Sequence, residues 1–218
     1  MIILKNVLDA EALAKVRDLA TKVEMVDGKA TAGVIARKVK NNLQGKHGDA
    51  SLKDIQGIVL KAIASHTLSQ IYIRPRVFTP VMLSSYADGQ EYGYHTDNAA
   101  MNDLNGKPMR TDVSFTLFLE EADSYDGGAL IIRDNITEHV IKLPPGSAIV
   151  YATGDLHRVQ PVTRGRRLAV VGWIESRIPT EFQRQVLYDF HRVIGHVPAG
   201  EARDLFVKAL GNLERLWT

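Results

Sequence analysis

The chain of 218 residues contains no cysteine. Disulfides and thiolate metal sites are therefore excluded, nothing marks an oxidising compartment, and the cytosol is the expected location. Long apolar runs are also missing. The opening Met1-Ile2-Ile3-Leu4-Lys5 is far too short for a signal peptide, and no stretch approaches the roughly 20 apolar residues that a spanning helix needs, so no membrane association is expected. Charge of one sign is scarce as well. The 27 Lys and Arg against 25 Asp and Glu leave a formal net charge of +2, too balanced to imply nucleic acid or another polyanion as partner. Finally, there is no Gly-rich phosphate loop, dinucleotide-binding fingerprint, H-E-x-x-H zinc helix or G-x-S-x-G elbow.

What is present is a set of metal-ligand residue types at informative positions. In Tyr94-His95-Thr96-Asp97-Asn98, His95 and Asp97 stand two apart, and side chains two apart on a strand project from one face and can reach one ion. His157 and Arg167 follow downstream. Two imidazoles and one carboxylate form the facial triad that holds non-haem Fe(II) on one side and leaves the other positions open. Each fragment alone has a plainer reading: an H-x-D in an ordinary half-buried strand, and a hydrogen-bonded core or edge histidine between Leu156 and Val159. His47-Gly48-Asp49 repeats the tripeptide within a polar, turn-rich stretch with no flanking strand pattern, and reads as a solvated loop. The joint pattern singles out the copy at His95.

Periodicity divides the chain into three. Asp9 to Ala20 places Leu13, Val16, Leu19 and Ala20 on one helical face with Asp9 as cap, and a second helix is expected from about Ser51 to Ala64. Both should pack outside a sheet. From Ile71 to Ser176 the pattern becomes short β-type runs separated by turn residues: Ile71-Tyr72-Ile73, Val81 to Tyr86, Val113 to Leu119, Ala129 to Ile132, His139 to Ile141, Ala148 to Tyr151 and Leu168 to Trp173. That arrangement predicts an α+β protein whose core is an antiparallel double-stranded β-helix, or jelly roll, rather than a βαβ sheet. Helical periodicity returns at Thr180 to Phe190, with Thr180 and Gln183 as a capped start, and again at Glu201 to Leu216. The apolar positions Phe182, Val186, Leu187, Phe190, Leu205, Phe206 and Leu210 are expected to pack on the body, the alternative being a contact in a homo-oligomer. The expected units are an N-terminal helical segment (1–77), a jelly-roll domain (78–178) and a C-terminal helical appendage (179–218).

Longer motifs carry a family resemblance. Tyr86-Ala87-Asp88-Gly89-Gln90-Glu91-Tyr92-Gly93-Tyr94-His95-Thr96-Asp97 resembles the first motif of prolyl-4-hydroxylase-type Fe(II)/2-oxoglutarate dioxygenases. The run His157-Arg158-Val159-Gln160-Pro161-Val162-Thr163-Arg164-Gly165-Arg166-Arg167, with Trp173 beyond it, is similar to their distal motif. Asp126-Gly127-Gly128 and Leu143-Pro144-Pro145-Gly146 resemble the Gly-Gly turn and strand entry between them. Asp27 to Gly33, Lys40-Asn41-Asn42, Asn98 and the helical tail narrow the likeness to the bacterial PKHD-type hydroxylases, a group linked to iron uptake.

The resemblance implies Fe(II) bound by His95, Asp97 and His157, with Arg167 pairing the distal carboxylate of 2-oxoglutarate. Arginine suits that task because its planar fork donates two parallel hydrogen bonds, although prolyl hydroxylases usually have lysine there. Tyr86 is expected to reach the same carboxylate or else to pack on the sheet, and Ser114 falls where the family often has a threonine near it. Arg164, Arg166 and Arg177 are expected to form a solvated rim. The implied activity is hydroxylation of an unactivated C–H bond in a small-molecule or peptidyl substrate, with release of succinate and CO2 and with L-ascorbate restoring oxidised iron. Two other readings share these residues: a jelly-roll module that senses iron or 2-oxoglutarate without turnover, and an oxygenase acting on alkylated nucleic acid, which the charge balance disfavours.

Overall fold

The computed structural model describes every residue except Ala32, Val34, Ile35 and Asp88, so those members of the Asp27–Gly33 and Tyr86–Asp97 motifs lie outside the described residues. Two antiparallel sheets face one another. The larger has eight strands: Ile2–Leu4, Ala148–Ala152, Val113–Phe118, Arg166–Ser176, Met82–Ala87, Leu43–Gly45 and Met25–Asp27 run side by side, and Pro75–Phe78 also pairs with Arg166–Ser176. The smaller orders Glu138–Ile141, Leu130–Arg133, Leu156–Val159, Glu91–His95 and Lys40–Asn41. This is the predicted jelly roll.

Strand alternation assigns the two faces of the larger sheet to different cores. Along Val113–Phe118, Val113, Phe115 and Leu117 join an outer core, while Ser114, Thr116 and Phe118 alternate with them. Helix α1 (Ala10–Lys22) and helix α2 (Ala50–Ser65) bury Val16, Leu52, Ile55, Val59 and Ile63 in that same outer core. With both faces covered, all six residues of the strand are buried, Ser114 and Thr116 included. The inner core between the sheets contains Tyr86, Phe118, Leu130, Ile149, Tyr151 and Val159.

Local signals set several boundaries. Asp9 Oδ1 accepts from Ala12 N at 2.8 Å and starts α1, and Thr180 Oγ1 accepts from Gln183 N at 3.3 Å and starts helix α3 (Glu181–Ile194). Asp49 of the second H-x-D caps α2, taking Leu52 N at 3.0 Å and Glu24 N at 3.1 Å. His47 and Gly48 form the exposed turn, but the strand Leu43–Gly45 lies just before it, contrary to the expected absence of strand flanks.

Two other expectations need correction. Ile71-Tyr72-Ile73 is part of a wide helical turn, Ser69–Ile73, closed by Arg74 in the left-handed region at φ 54°. Its β-formers serve burial instead, with Tyr72 and Ile73 both in the outer core. In the C-terminal pair, α3 and helix α4 (Glu201–Trp217) bury Leu187 and Leu210 in a small core with Ile178, yet Phe182, Leu205 and Phe206 remain exposed. The pair is fastened to the body by buried Arg184, whose Nη1 donates to the Ile178 and Pro179 carbonyls, and by the Arg74–Glu214 ion pair at 2.7 Å. Among the described residues no helix is long and apolar enough to cross a membrane.

The N-terminal segment does more than pack helices on the core. Lys40–Asn41 extends the smaller sheet and Leu43–Gly45 the larger, so the chain crosses from one sheet to the other at buried Asn42 and closes one side of the roll. Gly28 makes this crossing possible. Its N–H donates to the Asn42 carbonyl at 2.9 Å, and a Cβ there would lie 2.0 Å from Asn42 Oδ1. Gly28 and the Lys40–Asn42 motif thus act together in sealing the roll.

Candidate active site

Strands Glu91–His95 and Leu156–Val159 are neighbours in the smaller sheet, and His157 stands directly opposite His95. Asp97 follows two residues after the first strand ends. Its Oδ1 lies 3.8 Å from His95 Nε2 and its Oδ2 3.7 Å from His157 Nε2, and one ligand atom from each of the three residues lies within 4.8 Å of the others. All three side chains are at most 12% exposed.

Each imidazole turns one ring nitrogen toward a common centre, where the two could hold a metal ion with Asp97. His95 Nδ1 lies 2.8 Å from the Gly93 carbonyl and His157 Nδ1 2.9 Å from the Asp155 carbonyl. A carbonyl only accepts, so each Nδ1 carries the proton and each Nε2 lone pair is left toward the common centre. Tyr92 stacks on His95 at 3.6 Å between ring centroids, and Tyr151 meets His157 edge-on at 5.1 Å. Ser114 Oγ donates to Asp97 Oδ2 at 2.9 Å and lies 3.1 Å from Thr153 Oγ1. Its partners are therefore the Asp97 carboxylate and the Thr153 hydroxyl.

Burial first, and then the neighbouring His157, push the His95 imidazole down to about 4 from its ordinary 6.5. The folded-state value lies below the unfolded one, so the unfolded chain binds the extra proton between them. The contribution of His95 to the stability of the metal-free protein is then complete above about 6.5 and is lost as pH falls toward 4. Urea unfolding across that window should show the decline, with a shallower slope in His95→Gln; equal slopes would contradict it.

The cluster opens into a cleft between the sheets with about 770 Å³ of empty volume, its mouth included. Arg167 and Tyr86 are cross-strand partners lining this cleft, each at most 3% exposed. The guanidinium carbon lies 5.2 Å from the Tyr86 ring and 5.4 Å from the Phe118 ring. Arg167 Nε is buried with no hydrogen-bond partner, and among the described residues the guanidinium has no ion pair. Desolvation pushes the Tyr86 hydroxyl up to about 12, so it is a neutral donor at physiological pH. A buried cation with vacant donors beside a phenol is a receptor for an anionic oxygen group. Of the neighbouring arginines, Arg164 pairs with Asp126 at 2.7 Å and Arg166 with Glu120 at 3.6 Å, both on the surface as expected for a rim.

All five candidate residues thus line one cleft. Sequence reasoning missed Lys40, Thr31, Tyr92 and Tyr151, which also line it. Lys40 belonged to a motif with no assigned role, and nothing in its local sequence marks a sheet crossing. The stretch from Asn98 to Thr111 forms a hairpin, Ala100–Asn102 with Pro108–Arg110, that brings Met101 to the cleft. It is tied back by Arg110 N donating to Glu175 Oε2 at 2.9 Å.

Residues 81–175 match the 2OG-Fe(II) oxygenase superfamily. The chain is 42% identical over 217 residues to a PKHD-type hydroxylase of Picosynechococcus, covering 98% of this chain and 97% of that protein. It is 41% identical over 216 residues to one from Synechococcus, covering 97% and 96%. A Pseudomonas putida prolyl-4-hydroxylase has the same fold, with TM-score 0.54 at 20% identity over 80% of this chain and 91% of that one. By these full-length matches the chain belongs to the PKHD-type hydroxylase family within the 2OG-Fe(II) oxygenase superfamily, and its class is that of the 2-oxoglutarate-dependent non-haem iron dioxygenases.

Proposed function

We propose that His95, Asp97 and His157 hold Fe(II) and that Arg167 and Tyr86 hold the distal carboxylate of 2-oxoglutarate. The enzyme hydroxylates an unactivated C–H bond: substrate, O2 and 2-oxoglutarate give hydroxylated substrate, succinate and CO2. The observation that carries this reading is the pairing of a two-His, one-carboxylate cluster with an orphaned buried arginine in the same cleft. Iron, when bound, supplies the oxygen-activating chemistry that no side chain of this chain has. The chain's own residues do the rest. The Gly93 and Asp155 carbonyls fix the imidazoles, Ser114 holds Asp97, and the sheets with the crossing at Asn42 enclose the site against water.

Within this proposal, residues 78–178 carry the catalytic cluster, 1–77 close the roll and 179–218 brace it from outside. L-ascorbate is the external reductant that keeps the iron ferrous, the primary substrate is a small molecule or peptide, and the enzyme acts in the cytoplasm. A place in iron uptake or siderophore handling follows from the family likeness alone.

The test is reconstitution with Fe(II) and 2-oxoglutarate under nitrogen, followed by admission of oxygen and measurement of succinate with and without ascorbate. Wild type should form succinate and His157→Ala should not. Iron and 2-oxoglutarate bound without succinate, even with candidate substrates, would instead identify a sensor.

A further inference from the structure

The cleft holds a second buried cation that neither the metal nor the co-substrate requires. Lys40 is 4% exposed, stands opposite Tyr92 across the edge of the smaller sheet, and lines the cleft. Its Nζ lies 4.9 Å from the centroid of the Tyr92 ring, whose other neighbour is the His95 imidazole stacked at 3.6 Å. The ammonium is thus one aromatic ring away from a metal-binding histidine. Among the described residues it has one hydrogen-bond acceptor, Thr31 Oγ1 at 3.1 Å, and no ion pair. An ammonium has three donors, so the cavity side of Lys40 retains capacity for a ligand. The single Thr31 hydroxyl proton has two acceptors in reach, the Gly28 carbonyl and Gln44 Oε1, and Gln44 Nε2 donates to Ser84 Oγ at 3.4 Å on the larger sheet. The Thr31 hydroxyl therefore has partners other than Lys40.

Charge balance indicates what Lys40 is for. With a divalent ion and a doubly charged co-substrate in the site, the two offset each other and Asp97 offsets Arg167. Lys40 is then the uncompensated charge of the cleft. Asp97 and Asp27 favour its ammonium from a distance, but desolvation dominates and brings it down to about 8. A buried lysine without a counter-ion destabilises a fold unless it meets an anion.

We propose that Lys40 is a specificity-determining residue that binds a carboxylate of the primary substrate, so that this enzyme acts on acidic molecules. The inference rests on the metal and co-substrate assignment above. One carboxylate could come from either of two molecules, the substrate or 2-oxoglutarate itself, and the experiment separates them. Protein is loaded with Mn(II) in place of iron and with N-oxalylglycine, an inert analogue, in place of 2-oxoglutarate. Benzoate serves as carboxylate probe and benzamide as its uncharged counterpart, each read by paramagnetic broadening of its proton NMR signals.

Benzoate should be broadened by wild type and benzamide much less. Lys40→Met should weaken benzoate binding about ten- to a hundredfold, the worth of a charge-assisted hydrogen bond, and Lys40→Arg should restore most of it. N-oxalylglycine affinity, measured separately, should change little in Lys40→Met and shows that this variant is folded. Benzoate that is not broadened, benzoate bound equally by Lys40→Met, or benzamide bound as well as benzoate would each overturn the proposal. So would an equal loss of N-oxalylglycine affinity, which would give Lys40 to the co-substrate. If Mn(II) fails to enhance water-proton relaxation at all, the metal assignment has failed first.

Discussion

Asp97→Ala should lower Fe(II) affinity by at least about a hundredfold and abolish succinate formation, while the metal-free protein melts close to wild type. Asp97 stands between the two imidazoles with one oxygen turned to each, at 3.8 and 3.7 Å. Donors about 2.1 Å from a shared ion need only a small contraction from those separations. The carboxylate also carries the only negative charge of the cluster, so its loss leaves two neutral rings facing a dication. Substituting a residue that merely orients a ligand already costs about 10- to 100-fold in metal affinity, and removing the ligand must cost at least as much. The fold should survive because Asp97 lies beyond its strand and its hydrogen bond is to Ser114, which keeps Thr153 as partner. Fe(II) titration under nitrogen, with a thermal melt of the apo-protein, decides the matter. Near-normal iron affinity would place the metal elsewhere.

Arg167→Met should raise the KM for 2-oxoglutarate by about a hundredfold or more while leaving iron affinity nearly unchanged. Truncating one partner of a buried, hydrogen-bonded charge pair typically costs about 2–5 kcal/mol, which spans such a factor. Arg167 is 1% exposed with its Nε unpartnered, so in the empty protein the two aromatic rings against it return only part of the cost of desolvating its charge. The same substitution should therefore stabilise the ligand-free enzyme, an opposite sign that a merely structural arginine would not give. Arg167→Lys keeps the charge and loses the fork, and should fall between. An unchanged KM in Arg167→Met would move the co-substrate to another part of the cleft.

The parts of the molecule that were legible in the sequence are those where a local pattern has a single physical meaning. Asp9 and Thr180 are read as caps because their side-chain oxygens meet backbone N–H groups three residues on. The two-residue spacing of His95 and Asp97 had more than one meaning: the strand ends at His95 with Asp97 beyond it, so strand alternation does not place the pair, and the longer motif was needed to separate it from His47-Gly48-Asp49. His157 was readable only with Arg167 and the longer motif, since its pairing opposite His95 is a property of the sheet and not of its neighbours. Other features depend on contacts distant in sequence. Tyr72 and Ile73 have β-formers' side chains but turn inward beneath α2, and burial overrode propensity there.

Lys40 was invisible for a related reason. A two-residue strand has too little length for periodicity to register, and its meaning comes from the crossing at Asn42 that joins the sheets. Phe182, Leu205 and Phe206 misled in the opposite direction. Helical spacing specifies a shared face but says nothing about whether the body is broad enough to cover it, and here it covers only the stripe through Leu187 and Leu210.

The most direct test of the catalytic assignment is a crystal structure of the enzyme grown under nitrogen with Fe(II) and 2-oxoglutarate, with diffraction recorded at the iron absorption edge. The expected result is one iron bound by His95 Nε2, Asp97 and His157 Nε2, with the far carboxylate of 2-oxoglutarate against Arg167 and Tyr86. Iron held by other residues, or a co-substrate carboxylate on Lys40 with Arg167 left empty, would contradict it.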